Sequence, residues 1–167
     1  MNKLKLALTA CAASAVLLTP VVATAQSSDE ASIRALEMRF AAAVAAKDVG
    51  AIMKTYAPDV FVFDLVPPRQ YVGVAAYGKD WREFLAGFSG PVHLEISDLA
   101  ISTDGTIAYG HSIQHVFGAN PSGGKVDITV RVTDIYRKIH DHWLIVQEHV
   151  SVPVDLASGK PDFTSKP

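Results

Sequence analysis

Three stretches of this chain set ionisable side chains within apolar, β-branched or aromatic neighbours. They are Tyr56-Ala57-Pro58-Asp59-Val60-Phe61-Val62-Phe63-Asp64, Arg131-Val132-Thr133-Asp134-Ile135-Tyr136-Arg137 and Glu148-His149-Val150-Ser151. Burial in such surroundings disfavours the charged form and shifts the pKa, which is how a small pocket acquires an acid or a base. Asp64, Asp134 and His149 are therefore the candidates for moving a proton. Asp64 ends its run beside Pro67-Pro68 and has an ordinary alternative role, capping the loop that follows. Trp81 and Tyr56 fit a cavity wall or hydrogen-bond donors, and core packing explains them equally.

Histidine invites a metal reading that spacing argues against. His111 and His115 are four residues apart on an expected strand, about 13 Å, too far to hold one ion together. His140 and His142 bracket a turn with no third ligand evident. No intrinsic metal and no cofactor is expected. His111 remains a candidate to face a cavity beside Ile113, and Arg131, opposite in parity to Asp134, is expected on the surface or at a dimer interface.

The elements that must position these residues follow from periodicity. An amphipathic helix is expected over Ser32 to Ala46, with Ile33, Leu36, Met38, Phe40, Ala43 and Val44 on its apolar face and Arg34, Glu37, Arg39 and Lys47 outside it. A short helix from Val49 to Tyr56 stops before Pro58, and a strand from Val60 to Val66 stops at the diproline. Gly73 introduces a third helix, Val74 to Phe88. Four strands follow, Val92 to Thr103, Thr106 to Phe117, Lys125 to Lys138 and His142 to Val152, separated by turn signals at the spacing of a meander. Helices first and an antiparallel sheet after them argue an α+β fold with the helices on one face of a curved sheet.

Composition bounds the setting. Lys3 and Lys5, the apolar run Leu6 to Val22 and Ala23-Thr24-Ala25 before Gln26 read as a secretory signal peptide over residues 1–25. Export to a bacterial periplasm or beyond is expected, with no membrane association after cleavage. Leu8-Thr9-Ala10-Cys11 offers a lipobox as the rival reading. Cys11 is the sole cysteine and leaves with the signal peptide, so disulfides and thiolate chemistry are excluded from the remainder. That remainder carries thirteen lysines and arginines against seventeen acids, with no basic cluster, which argues against nucleic acid as a partner. One domain over 26–155 and a loosely ordered tail over 156–167 complete the expected organisation.

Several of these features, in this order, resemble the SnoaL-like and ketosteroid isomerase-like branch of the nuclear-transport-factor-two-like superfamily. They are Asp48-Val49-Gly50-Ala51-Ile52, Tyr56-Ala57-Pro58-Asp59, the Phe63-Asp64 strand end, Tyr71-Val72-Gly73, and the closing hairpin with Trp143-Leu144-Ile145-Val146 and His149-Val150-Ser151. The resemblance implies a cone, a bent antiparallel sheet wrapped around about three N-terminal helices, with an apolar cavity at one end. It implies that Asp64 stands where the isomerases carry their proton-shuttling carboxylate and Asp134 where they carry a protonated carboxylic acid, the pair of roles for which ketosteroid isomerase is a standard example. Phe40 stands at the first-helix position of the isomerases' oxyanion-binding tyrosine and has no hydroxyl. His149, Ser151 and Gln147 are then the candidate replacement donors.

Alternation puts Gln147, His149 and Ser151 on one face of the last strand and Val130, Val132, Asp134 and Tyr136 on one face of the strand before it. The resemblance turns both sets toward the cavity. Asp134 and His149 are expected to meet across the hairpin, as a functional Asp-His pair that keeps Asp134 ionised or as a structural hydrogen bond. Asp64 is then the carboxylate with the raised pKa. The reading that results is an exported protein that binds a small, largely apolar organic molecule in a cavity walled by Phe40, Trp81 and Ile113 and acts on it by cofactor-free proton transfer, as an isomerase, dehydratase or cyclase. The alternatives are a non-catalytic binding or interaction module of the same fold, and a hydrolase. Strands rich in Val, Ile and Tyr also lead us to expect a homodimer through the outer sheet face.

Overall fold

A computed structural model describes residues 28–165. The expected signal peptide and Cys11 lie outside the described residues. The elements run α1 (Ser28–Ala45), α2 (Val49–Met53), β1 (Tyr56–Phe63), β2 (Tyr71–Val72), α3 (Val74–Ala86), β3 (Val92–Thr103), β4 (Ile107–Ala119), β5 (Lys125–Ile139) and β6 (His142–Ser151). They build the expected α+β fold, one curved six-stranded sheet in the order β2-β1-β6-β5-β4-β3 with the helices against one face. Every neighbouring pair is antiparallel except β1 and β6, which run parallel. Strand β1 begins at Tyr56, where a helix end was expected, and the Tyr71–Val72 strand was not foreseen.

Two sequence features set the frame for the site. Asp48 caps α2 by accepting the Ala51 N–H at 2.9 Å. Gly73, at φ 79°, turns the chain from β2 into α3 while its N–H bonds Val60 O, and a Cβ there would stand 3.2 Å from Pro58 O.

The core lies between helices and sheet. Ile33, Leu36, Phe40 and Val44 of α1 pack with Ile52, Val60, Val62, Tyr77, Val92, Tyr136 and Ile145. Strands β4 and β5 keep strict alternation, with Ala108, Gly110, Ser112, Gln114 and Val116 buried on one and Val130, Val132, Asp134 and Tyr136 on the other. Strand β6 does not. Ile145 pairs with Tyr136 but Gln147 pairs with Ile135, so one extra residue is inserted at Val146 and the parity of β6 reverses there.

The tail expected to be loosely ordered folds back on the domain. Val154 bridges Pro161, and the Thr129 N–H donates to Phe163 O at 2.9 Å. No described helix is long and apolar enough to cross a membrane.

Candidate acid–tyrosine site

The bulge in β6 decides which acid enters the core. Trp143 and Ile145 are buried before it and Glu148 after it, whereas unbroken alternation would have buried His149. Glu148 is 3% exposed and stands directly across from Asp134, also 3% exposed. A third carboxylate joins them from α1. Glu37 lies on the stripe of Ile33, Leu36, Phe40 and Val44, and it too is buried.

Tyrosines hold the three acids. Tyr56 donates to Glu148 Oε2 at 2.8 Å, and the Tyr77 hydroxyl makes a short bond to Glu148 Oε1. Tyr136 donates to Glu37 Oε1 at 2.9 Å, and its oxygen is 3.4 Å from Asp134 Oδ2. A hydroxyl has one proton, so when it points to Glu37 the Asp134 contact requires the proton to sit on the carboxyl. Gly110, the β4 partner of Asp134, makes room for this, since a Cβ there would stand 3.2 Å from the Tyr136 hydroxyl.

No salt bridge among the described residues reaches these acids. Burial therefore dominates their protonation. It raises Glu37 from 4.5 to about 7 against the opposing Tyr136 bond. It raises Glu148 to about 7 as well, although the bonds from Tyr77 and Tyr56 stabilise the charged form. Asp134 is pushed well above the carboxylate range by burial and by the charges of Glu148 and Glu37. Its Oδ1 has no hydrogen-bond partner. The expectation that Asp134 is held ionised by His149 is thus reversed, because an acid at that position faces other acids.

Asp64 follows Val62 by two residues and is half-buried at the end of β1. It accepts the Leu65 N–H, which serves the capping role, and burial together with the charge of Asp80 raises its pKa while Leu65 and Tyr77 oppose the rise. Asp80 of α3 accepts a 2.8 Å bond from Tyr71 and is also raised by burial. Asp64, Tyr77, Glu148 and Asp134 thus form one row from the rim to the interior.

Aromatic rings close around the row. Phe40, Tyr56, Tyr77 and Trp81 form a ring of edge-on contacts with neighbouring centroids 5.4–6.1 Å apart. The indole N–H of Trp81 is buried without a partner. The structure therefore brings Asp64, Asp134, Phe40, Tyr56 and Trp81 together. His149 is exposed on the opposite face, its ring 5.7 Å from Phe63. Gln147, paired with Phe61 and Ile135, also lies on that outer side of the bulge, as do His111 and Ile113 by the parity of β4. Ser151 shares the parity of His149. Phe40 supplies no hydroxyl, and the hydroxyls come instead from Tyr56, Tyr77 and Tyr136.

Sequence reasoning missed Glu37, Glu148 and Tyr77 as site residues, and it placed Tyr136 on the cavity-facing side of its strand without giving it a role. The signal for Glu37 was its spacing, four after Ile33 and three before Phe40, which centres it on the buried stripe. Among the described residues no group of three or more His, Cys, Asp or Glu is arranged to hold a metal ion.

Residues 33–155 match the SnoaL-like domain family. The chain belongs to that family. Among solved structures, an NTF2-like protein of unknown function from Pseudomonas putida is 29% identical over 83% of this chain and 96% of its own, with a TM-score of 0.75. A ketosteroid isomerase-like protein from Erwinia carotovora is 18% identical over 74% of this chain and 95% of its own, at 0.63. A cystatin-like-fold protein of unknown function from Nostoc punctiforme is 21% identical over 75% and 91%, also at 0.63. At those identities the last two show the fold alone. No curated protein matches the sequence. Family membership fits what the SnoaL-like fold supplied here, helices over a curved sheet with polar side chains between the layers.

Proposed function

We propose that this SnoaL-like protein is an exported acid–base catalyst that moves a proton on a small, largely apolar organic molecule, in the manner of an isomerase or dehydratase. The observation that carries the reading is Glu148, a carboxylate with a pKa near neutrality clamped by two tyrosine hydroxyls, with Asp134, which burial pushes toward its protonated form, across from it and one Asp134 oxygen unpartnered. A base is most effective when its pKa lies near the working pH, and a neutral carboxylic acid beside it can donate a hydrogen bond to developing negative charge. Glu148 or Asp64 takes the proton in this scheme, Asp134 stabilises the oxyanion, and the aromatic ring of Phe40, Tyr56, Tyr77 and Trp81 binds the apolar body. The name of the Erwinia neighbour points the same way by analogy.

The test is α-proton exchange of a small enolisable ketone, 2-tetralone, in heavy water, followed by NMR. Exchange by the wild type that is lost in Asp134→Asn and Glu148→Gln supports the reading. A second reading, a binding or interaction module without turnover, rests on both Glu148 oxygens being satisfied by tyrosines. It is supported if 2-tetralone binds at the same residues and does not exchange.

A further inference from the structure

A second site of opposite polarity lies at the other end of the β5–β6 hairpin. Two contiguous grooves, of about 240 and 460 Å³, share Arg39, His142 and Trp143. The larger runs over Pro58, Ile139 and Leu144, with Lys54 and His140 on its border; the smaller adds Ser32, Ala35 and Asp141. The hairpin tip is a two-residue turn with His140 and Asp141 both at positive φ, which fixes the direction of its two strands.

The cations here lack partners. Arg34, Lys47, Lys79 and Lys138 each bond a carboxylate or carbonyl. Among the described residues the side chains of Arg39 and Lys54, like those of Arg69, Arg82, Lys125, Arg131, Arg137 and Lys160, have no ion pair or hydrogen bond, and these two are both exposed at one groove. Asp141 is the single acid on the border. Acids outnumber lysines and arginines in this chain by seventeen to fifteen, so these two charges over an apolar floor are local features of one surface.

We propose that this groove binds an amphipathic anion, a molecule with one carboxylate and a short apolar body. The head lies between the Arg39 guanidinium and the Lys54 ammonium, Arg39 supplying the planar fork that matches a carboxylate. The body lies along Pro58, Ile139 and Leu144 toward the Trp143 indole. The acid–tyrosine site repels such a ligand, so the two sites take different molecules. This proposal stands apart from the catalytic reading above.

Octanoate is the probe, titrated into the wild-type protein with NMR detection of the amides of residues 138–144 and of the Trp143 indole. Saturable shifts confined to that hairpin and the facing part of α1 are expected. Binding should weaken by about tenfold or more in Arg39→Gln/Lys54→Gln, the scale of one charge-assisted contact, and octan-1-ol should bind more weakly than octanoate by a similar factor. Both substitutions are at exposed positions and leave the core intact. Equal binding of octanol and octanoate, unchanged affinity in the double variant, or shifts centred on Glu148 and Asp64 would each overturn the proposal.

Discussion

Asp134 and Glu148 are register partners across β5 and β6, and both carboxyl groups point into the core with no cation among the residues bonded to them. Two ionised carboxylates cannot share such a place. The fold must keep at least one proton there, and the retained proton links the protonation of this site to stability.

The sign of that link can be worked out. Glu37 and Glu148 titrate near 4.5 when unfolded and at about 7 when folded, so between those values the folded state binds more protons. Their contribution is fully present below about pH 4.5 and is lost as pH rises through about 7. Asp29 and Asp104 are shifted downward, Asp29 chiefly by its bond from Lys138 and Asp104 by the backbone N–H of Ile107, and act in the opposite sense in strong acid. Thermal melts from pH 4 to 9 should show highest stability near pH 5 and a decline toward pH 8. A melting temperature that rises from pH 5 to 8 would contradict the buried-acid account.

Glu37→Gln isolates one of these groups. The glutamine oxygen still accepts the Tyr136 hydroxyl, and the ionisation is gone. At pH 8 the variant should be more stable than the wild type by on the order of 2 kcal/mol, about 4–8 °C in a chain of this size, and the advantage should vanish at pH 4.5. Paired melts at the two pH values give the check.

Tyr56→Phe and Tyr77→Phe each remove a donor from Glu148. An ionised carboxylate left short of one bond costs about 1–3 kcal/mol, and a protonated one costs less. Each variant should therefore lose more stability at pH 8 than at pH 5, measured by denaturant unfolding at both.

Much of the fold was legible because the helix stripe and the strand alternation are strong signals. The positions of Asp64 and Asp134 were legible too, since β1, irregular between Tyr56 and Phe61, alternates from Val60 through Val62 into Asp64, and β5 alternates from Val130 through Asp134. Glu148 was hidden by a single inserted residue at Val146, which pairing alone reveals. Alternation carried past that point assigned His149 to the interior. Glu37 was hidden by its charge. A carboxylate on a helix is ordinarily placed in water, and its buried neighbours outvoted that preference only because Tyr136 reaches it from β5.

The outer face of the sheet bears on assembly. Tyr109 is 58% exposed and Ile107 47% exposed on β4, and Phe63 is 38% exposed at the end of β1. Apolar side chains on an uncovered sheet face favour self-association, and a homodimer is expected by sedimentation at micromolar concentration. Tyr109→Glu should shift it toward monomer without lowering the melting temperature of the dilute protein.

Asp64 offers the most direct separation of catalysis from structure. Its carboxylate accepts the Leu65 N–H, and asparagine keeps that acceptor. Burial and Asp80 raise its pKa, the direction that suits a proton carrier at the rim of the row leading to Glu148. Asp64→Asn should then lower 2-tetralone exchange by about a hundredfold, the usual scale for losing a general base, while the melting temperature stays close to that of the wild type. Asp64→Ala removes the capping acceptor as well and should lower both. If Asp64→Asn leaves exchange intact and Asp64→Ala only destabilises, Asp64 is a loop cap and proton transfer rests on Glu148 alone.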